Sequence, residues 1–159
     1  MSSKDHAVMV MRHWASRHPR PLMAAYRLAR RLFLGLAPLW WLIGNRRLER
    51  PLAFLERALK GPLFDCRMCG TCVLSETGMT CPMNCPKALR NGPCGGVRSD
   101  GHCETKPEMR CVWVVASEGS RLLGEPSPLA LVLPPVNHAR SGKSSWLSLL
   151  EEAQRERAA

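Results

Sequence analysis

Residues 66–111 read CRMCGTCVLSETGMTCPMNCPKALRNGPCGGVRSDGHCETKPEMRC and hold all eight cysteines of the 159-residue chain. The spacings run C-x2-C-x2-C-x8-C-x3-C-x8-C-x8-C-x7-C. Large apolar side chains are few here, with Val73, Leu74 and Leu89 among them beside several methionines. A stretch so poor in Leu, Ile and Phe cannot bury enough area to offset the entropy of ordering it. Something covalent or coordinate must hold it. Gly70, Gly78, Gly92, Gly95, Gly96 and Gly101 punctuate the segment, as do Pro82, Pro86, Pro93 and Pro107. Only short helical turns fit between them, for example around Cys85–Arg90.

Three chemistries compete for these thiols. A disulfide framework needs an oxidising compartment. Export is poorly supported: the apolar run Leu32–Ile43 (LFLGLAPLWWLI) starts thirty residues in and lacks a small-residue cleavage site. It also falls short of the ~20 residues that span a bilayer. The chain therefore reads as cytoplasmic, where clustered thiols favour metal. C-x-x-C-x-x-C (Cys66, Cys69, Cys72) aims three sulfurs from one tight loop, which suits a corner-by-corner grip on a cubane. A [4Fe–4S] cluster takes four cysteines, so eight match two clusters. Cys81-Pro82 and Cys85-Pro86 resemble the bacterial ferredoxin ending, where the last cysteine precedes proline. Zinc is the alternative, held in two sites of four cysteines each. It would more naturally show two C-x2-C pairs per site, and His102 beside Cys103 could replace a sulfur. Both metal readings assign Cys66, Cys69, Cys72, Cys81, Cys85, Cys94, Cys103 and Cys111 as ligands.

The charge is lopsided. Of the net +10, residues 1–60 carry +9, with twelve Lys/Arg against Asp5, Glu49 and Glu56. The basic character belongs to the N-terminal arm, not to the cysteine region. Residues 1–18 show no helical period, and His6, His13 and His18 read as scattered surface histidines. Residues 22–34 predict an amphipathic helix, with Leu22, Ala25, Tyr26, Ala29 and Phe33 opposite Arg27, Arg30 and Arg31. Pro38 interrupts it. Trp40 and Trp41 follow in an apolar patch too large for an isolated arm. Own-domain packing, a partner protein and a membrane surface all remain open for that patch.

Residues 48–60 predict the strongest helix. Leu48, Leu52, Leu55 and Leu59 form its apolar stripe, Glu56 and Lys60 make an i, i+4 pair, and Gly61-Pro62 stops it. Cys111–Val115 reads as a short extended piece and 117–128 as a linker. Residues 129–133 form a brief apolar run. A final helix runs from Ser144, a serine cap, to about Arg157.

Several chemistries are excluded. No C-x-x-C-H is present, so no c-type haem. Gly142-Lys143-Ser144 resembles the end of a P-loop, but position 137 is Asn where its first glycine belongs. No nucleophile–base pair is evident. The chain is too short for a barrel of ~250 residues. No recognition motif accompanies the basic arm, which disfavours nucleic acid.

Residues 66–114 (CRMCGTCVLSETGMTCPMNCPKALRNGPCGGVRSDGHCETKPEMRCVWV) resemble the cysteine-rich C-terminal domain of methylenetetrahydrofolate reductases, which also occurs as a separate small subunit. The tail LPPVNHARSGKSSWLSLL is similar to the stretch that closes that domain. The resemblance covers about residues 48–150 and rests on the order of eight cysteines and on GPCGG. It implies an iron–sulfur subunit, with the eight cysteines matching the family's, that serves a flavin-bearing catalytic subunit by electron supply or structural support. No catalytic residue carries over, because the barrel is absent.

The expected fold is small, metal-centred and mainly α, with irregular Cys/Gly/Pro-rich loops between N-terminal helices and a C-terminal helix. The expected parts are a basic, partly apolar arm (1–47), a cysteine-rich metal-binding domain with its leading helix (48–116), and a linker with a C-terminal helix packing back (117–159). The expected function is an accessory electron-transfer subunit in one-carbon metabolism, carrying two [4Fe–4S] clusters and not catalytic alone. Its expected partners are a flavin-dependent methylenetetrahydrofolate reductase-like subunit and a redox donor protein, with a membrane surface the weaker choice. The alternative is a zinc-stabilised interaction module whose basic arm grips a partner protein, nucleic acid or membrane.

Overall fold

A computed structural model describes residues 3–127 and 130–158, and of residues 3–9 and 156–158 the backbone alone. The chain is mainly helical. Among the described residues six α-helices run in order: α1 Ser3–Arg17, α2 Pro19–Gly35, α3 Ala37–Ile43, α4 Asn45–Phe64, α5 Val112–Leu123 and α6 Ser145–Ala158. Residues 65–111 between α4 and α5 are loops, with one 3-10 turn at Pro82–Asn84. Among the described residues there is no strand, only the isolated bridges Val97–Cys103 and His102–Arg110. No helix among the described residues is long and apolar enough to cross a membrane.

The centre of the fold is α4, which α1, α3 and α6 all pack against. Its buried face differs from the leucine stripe read in the sequence. Leu48, Glu56, Lys60 and Phe64 are buried, with Leu52 packed beside Leu48. Leu55 and Leu59 stand 52% and 59% exposed. The true face is the strict i, i+4 row from Leu48 to Phe64. It admits two charged residues because they pair with each other and with α6. The helix also runs through Pro51 and Pro62 to Phe64, past the expected stop at Gly61-Pro62. Each proline removes one N–H, and the packed face holds the helix through both. Asp65 in the left-handed conformation then ends it, and Asn84 Nδ2 donates to the Phe64 carbonyl at 2.8 Å.

Two further expectations are corrected. Residues 3–17 are helical although no period marked them: among the described side chains of α1, residues 10–17, the buried one is the small Ala15. Val112–Leu123 is helix α5 rather than an extended piece and a linker. Its β-branched start favours strand, but tertiary packing overrides that preference. Gly119 lies against Gly78, so closely that a Cβ on either would meet backbone. Pro128 and Leu129, the end of the expected linker and the start of the expected apolar run, lie outside the described residues.

The apolar patch of the arm is divided. Phe33 stacks on Trp40 at 5.3 Å and meets Trp146 of α6 edge-on at 5.0 Å. Trp40 and Trp41 pack there with Leu48, Leu147 and Leu150. That accounts for the tryptophans. Leu28, Leu32, Leu36, Leu39 and Leu42 remain exposed. A second core joins Ala15, Met23, Phe64, Leu74 and Met79, and a third joins Val73, Cys111, Trp113 and Leu133. Helices of the arm thus share both larger cores with the rest of the chain.

Candidate metal centre

Helix α4 delivers the chain into the first cysteine loop, and the loop coils tightly. Asp65, Met68 and Gly70 have φ of 49°, 48° and 73°. Left-handed Asp and Met residues cost energy, and such strain persists where the surroundings over-determine it. Gly70 is forced for a second reason. A Cβ there would strike the backbone carbonyl of Arg140. The coil turns four thiols toward one place: Cys66, Cys69, Cys72 and Cys81 all line a single small cavity. All eight cysteines are free thiols.

The walls of this cavity are mainly apolar, Phe64, Met68, Val73 and Leu74 among them, with a few charged and polar groups at their edge. Arg90 reaches it from the loop, with Nη1 3.9 Å from the Cys69 sulfur and Nη2 donating to the Thr71 carbonyl at 3.0 Å. Lys60 stands behind it. Lys60 Nζ donates to Glu56 Oε1 at 2.6 Å and to Ser145 Oγ at 3.1 Å, and both charged residues are buried. Burial pulls the Lys60 ammonium down, but Cys72 and Glu56 outweigh it and lift it to about 12. Burial also pushes the Cys66 thiol up, and carries Cys81 to about 12 with Cys66, Cys72 and Cys69 adding to the rise. Burial in low dielectric disfavours the charged form of Cys66 and Cys81. A positively charged group bound among them would reverse that.

The same residues fasten the C-terminal helix. Ser144 caps α6, its Oγ accepting from the Trp146 N–H at 3.3 Å. Glu49 accepts from the Ser144 N–H at 2.7 Å, and Glu56 accepts from Ser144 Oγ and the Ser145 N–H, each at 2.9 Å. Two carboxylates from α4 thus sit at the positive end of α6. Ser148 Oγ donates to the Gly70 carbonyl at 2.8 Å.

The other four cysteines are placed differently. Cys85 is half-buried after the 82–84 turn, Cys94 is exposed, and Cys103 and Cys111 are buried. Cys94 accepts from the Gly96 N–H at 3.4 Å. The Thr105 hydroxyl, 3.1 Å from the Cys103 sulfur, draws that thiol below its ordinary value, and Lys87 adds to the effect. Lys87, ion-paired with Glu104, also lies beside Cys94. It is the shared neighbour of two thiols of this half. Cys111 begins α5 and packs with Val73, Trp113 and Leu133.

Among the described residues, no three His, Cys, Asp or Glu side chains stand as a shell for a single metal ion. The first four cysteines nonetheless gather at one cavity of about 20 Å³. They ring one cavity, two buried cations flank it, and Thr71 Oγ1, in its wall, is buried without a hydrogen-bond partner. His13 and His18 are exposed at a distance from this cavity's lining, and the His6 side chain lies outside the described residues. Sequence reading missed Lys60 and Arg90 as site residues. The signal for Lys60 was present: the row Leu48, Leu52, Glu56, Lys60, Phe64 keeps i+4 spacing straight through the charged pair.

Searches of curated proteins and of solved structures returned no match. A family model described as methylene-tetrahydrofolate reductase C terminal matches residues 46–139. That span starts in the first turn of α4, takes in all eight cysteines and ends beside Arg140, the residue that closes over Gly70. The match covers more than half of the chain, and the chain belongs to this methylene-tetrahydrofolate reductase C-terminal family.

Proposed function

We infer that this chain is the iron–sulfur accessory subunit of a cytoplasmic methylenetetrahydrofolate reductase-like flavoprotein. The observation that carries the reading is the convergence of Cys66, Cys69, Cys72 and Cys81 on one cavity flanked by Lys60 and Arg90. A cluster held by four thiolates is anionic, and buried cations offset that charge. Cys85, Cys94, Cys103 and Cys111 complete the count for a second cluster. When bound, the clusters supply one-electron transfer to or from the partner's flavin. The chain's own residues do the rest: α4 and α6 clamp the first loop, Gly70 admits Arg140 over it, and the Met68 N–H donates to the Cys66 sulfur at 3.4 Å. Such donors tune a cluster's potential. The chain is not catalytic alone, and its partner is the flavin-dependent subunit.

The test is iron, acid-labile sulfide and zinc content of protein purified without oxygen, with its visible and paramagnetic resonance spectra. The expected result is about eight irons and eight sulfides per chain, bleached by dithionite. Colourless protein containing zinc and no sulfide would replace this reading with a zinc-stabilised interaction module. Co-purification with a flavoprotein tests the partner separately.

A further inference from the structure

Helices α2 and α3 follow one another with Leu36 alone between them. The Leu36 N–H donates to the Leu32 carbonyl at 3.1 Å, and the Leu36 carbonyl accepts from the N–H groups of Leu39 and Trp40 at 3.0 and 3.1 Å. Along this path Leu28, Leu32, Leu36, Leu39 and Ile43 keep the three- and four-residue steps of one helical face. Phe33 and Ala37 hold the opposite face in the core. The outer face is open, with Leu28, Leu32 and Leu42 at 59%, 61% and 84% exposed. Single exposed leucines are ordinary, but a continuous row of them marks an interaction surface.

The charge around the row says what covers it. Between Asp5 and Glu49 the chain has eight arginines and no acidic residue. Arg30 and Arg31 stand before the turn into α3, and Arg46 and Arg47 follow that helix. All four are exposed, and none enters the ion pairs of the described residues. A second copy would set this positive charge against itself. A protein partner also fits less well than lipid. Protein interfaces draw their binding energy from tryptophan and tyrosine more than from leucine. Here Phe33, Trp40 and Trp41 pack inward with Leu147 and Leu150, and the leucines stay outside. Leucines bordered by arginines suit a helix that lies in the plane of an anionic bilayer surface. The row ends before residue 46, where the family span begins.

We propose that the outer face of residues 28–43 docks this protein peripherally on an anionic lipid surface, its leucines at the acyl boundary and Arg30, Arg31, Arg46 and Arg47 on the headgroup phosphates. The proposal does not rest on what the cysteines hold.

The test is flotation of the full chain with vesicles of phosphatidylcholine and phosphatidylserine in equal parts, and with phosphatidylcholine alone. Binding to the anionic vesicles, falling as salt rises, is the expected result. Leu32→Glu and Leu42→Glu alter exposed side chains and should each weaken it at least about tenfold, with helical circular dichroism unchanged. Arg30→Gln combined with Arg31→Gln should weaken it by about tenfold or more. Leu42→Trp should preserve it, since tryptophan sits well at a lipid interface. Absence of binding at low salt would overturn the proposal. So would binding that both glutamate variants leave intact, because charge alone would then hold the chain. A dimer in solution that Leu42→Glu dissociates would give the face to a second copy instead. Loss of a co-purifying flavoprotein in Leu42→Glu, with no vesicle binding by the parent chain, would give it to that partner. Iron and sulfide measured on the same samples report on the cluster reading independently.

Discussion

The two halves of the cysteine segment are built on different plans. Cys66, Cys69, Cys72 and Cys81 line one cavity, backed by the buried Lys60 and by Arg90. Cys85, Cys94, Cys103 and Cys111 span from an exposed loop to the start of α5, with Lys87 as their charged neighbour. The first half leans on helices, Phe64 of α4 and Ser148 of α6 among its supports. The second leans mainly on Trp113, whose ring lies so close to Gly92 that a Cβ there would strike it. A cage embedded between helices keeps its shape before anything binds. A loop closed by bridges and surface ion pairs takes much of its order from what it binds.

The sharpest way to break this contrast is to remove one thiol from each half. Cys81→Ser should cost about four irons per chain, one cubane, while the far-ultraviolet helix signal persists. Cys94→Ser should cost a similar amount and also loosen residues 85–111, seen as faster proteolysis there. If Cys94→Ser leaves the iron content whole, the second half is not a centre at all. Next in size is the buried pair. Glu56→Gln strands Lys60 and should lower stability by about 3–5 kcal/mol, read by chemical denaturation. Replacing both residues by Leu and Met should recover most of that loss.

The same lysine gives a pH signature. Lys60 titrates at about 12 in the folded chain against an ordinary 10.5. Its contribution is complete below that ordinary value and is lost as pH rises through about 12. Lys60→Met should therefore flatten the alkaline fall in melting temperature. Gly70→Ala, at φ 73° beneath Arg140, should cost about 1–3 kcal/mol and slow loading of the first half only. At the small end, Arg27→Ala removes an exposed pair with Glu125, and its effect should stay within about 1 kcal/mol.

Composition and spacing marked out the cysteine segment and its loop character, and the resemblance of its cysteine order and GPCGG block supplied the family. They also located α2, the body of α4 and the cap at Ser144. What they missed follows from packing. The face of α4 was misread because leucines outweigh Glu56 and Lys60 in any hydrophobic pattern, yet a paired Glu and Lys are what α6 and the thiols require there. Helix α1, among its described side chains, buries the small Ala15, which weighs little in a hydrophobic pattern. Helix α5 begins with VWVV, a strand-like run that becomes helical only against Gly78 and the 82–84 turn. Which four cysteines gather is a matter of distance, and no spacing rule separates Cys81 from Cys85.

The clamp on the first cysteine loop has a consequence for how the chain is made. Glu49, Glu56 and Lys60 emerge from the ribosome before the cysteines, and Ser144, Ser145 and Ser148 only after all eight have passed. Throughout that interval the Glu56–Lys60 pair lacks its seryl partners, and the Gly70 carbonyl lacks the Ser148 hydroxyl. The thiol cavity is therefore open on the α6 side while the chain is nascent and is shut by the last helix to arrive. Any group that these thiols hold is most easily delivered during synthesis, and docking of α6 closes the way in.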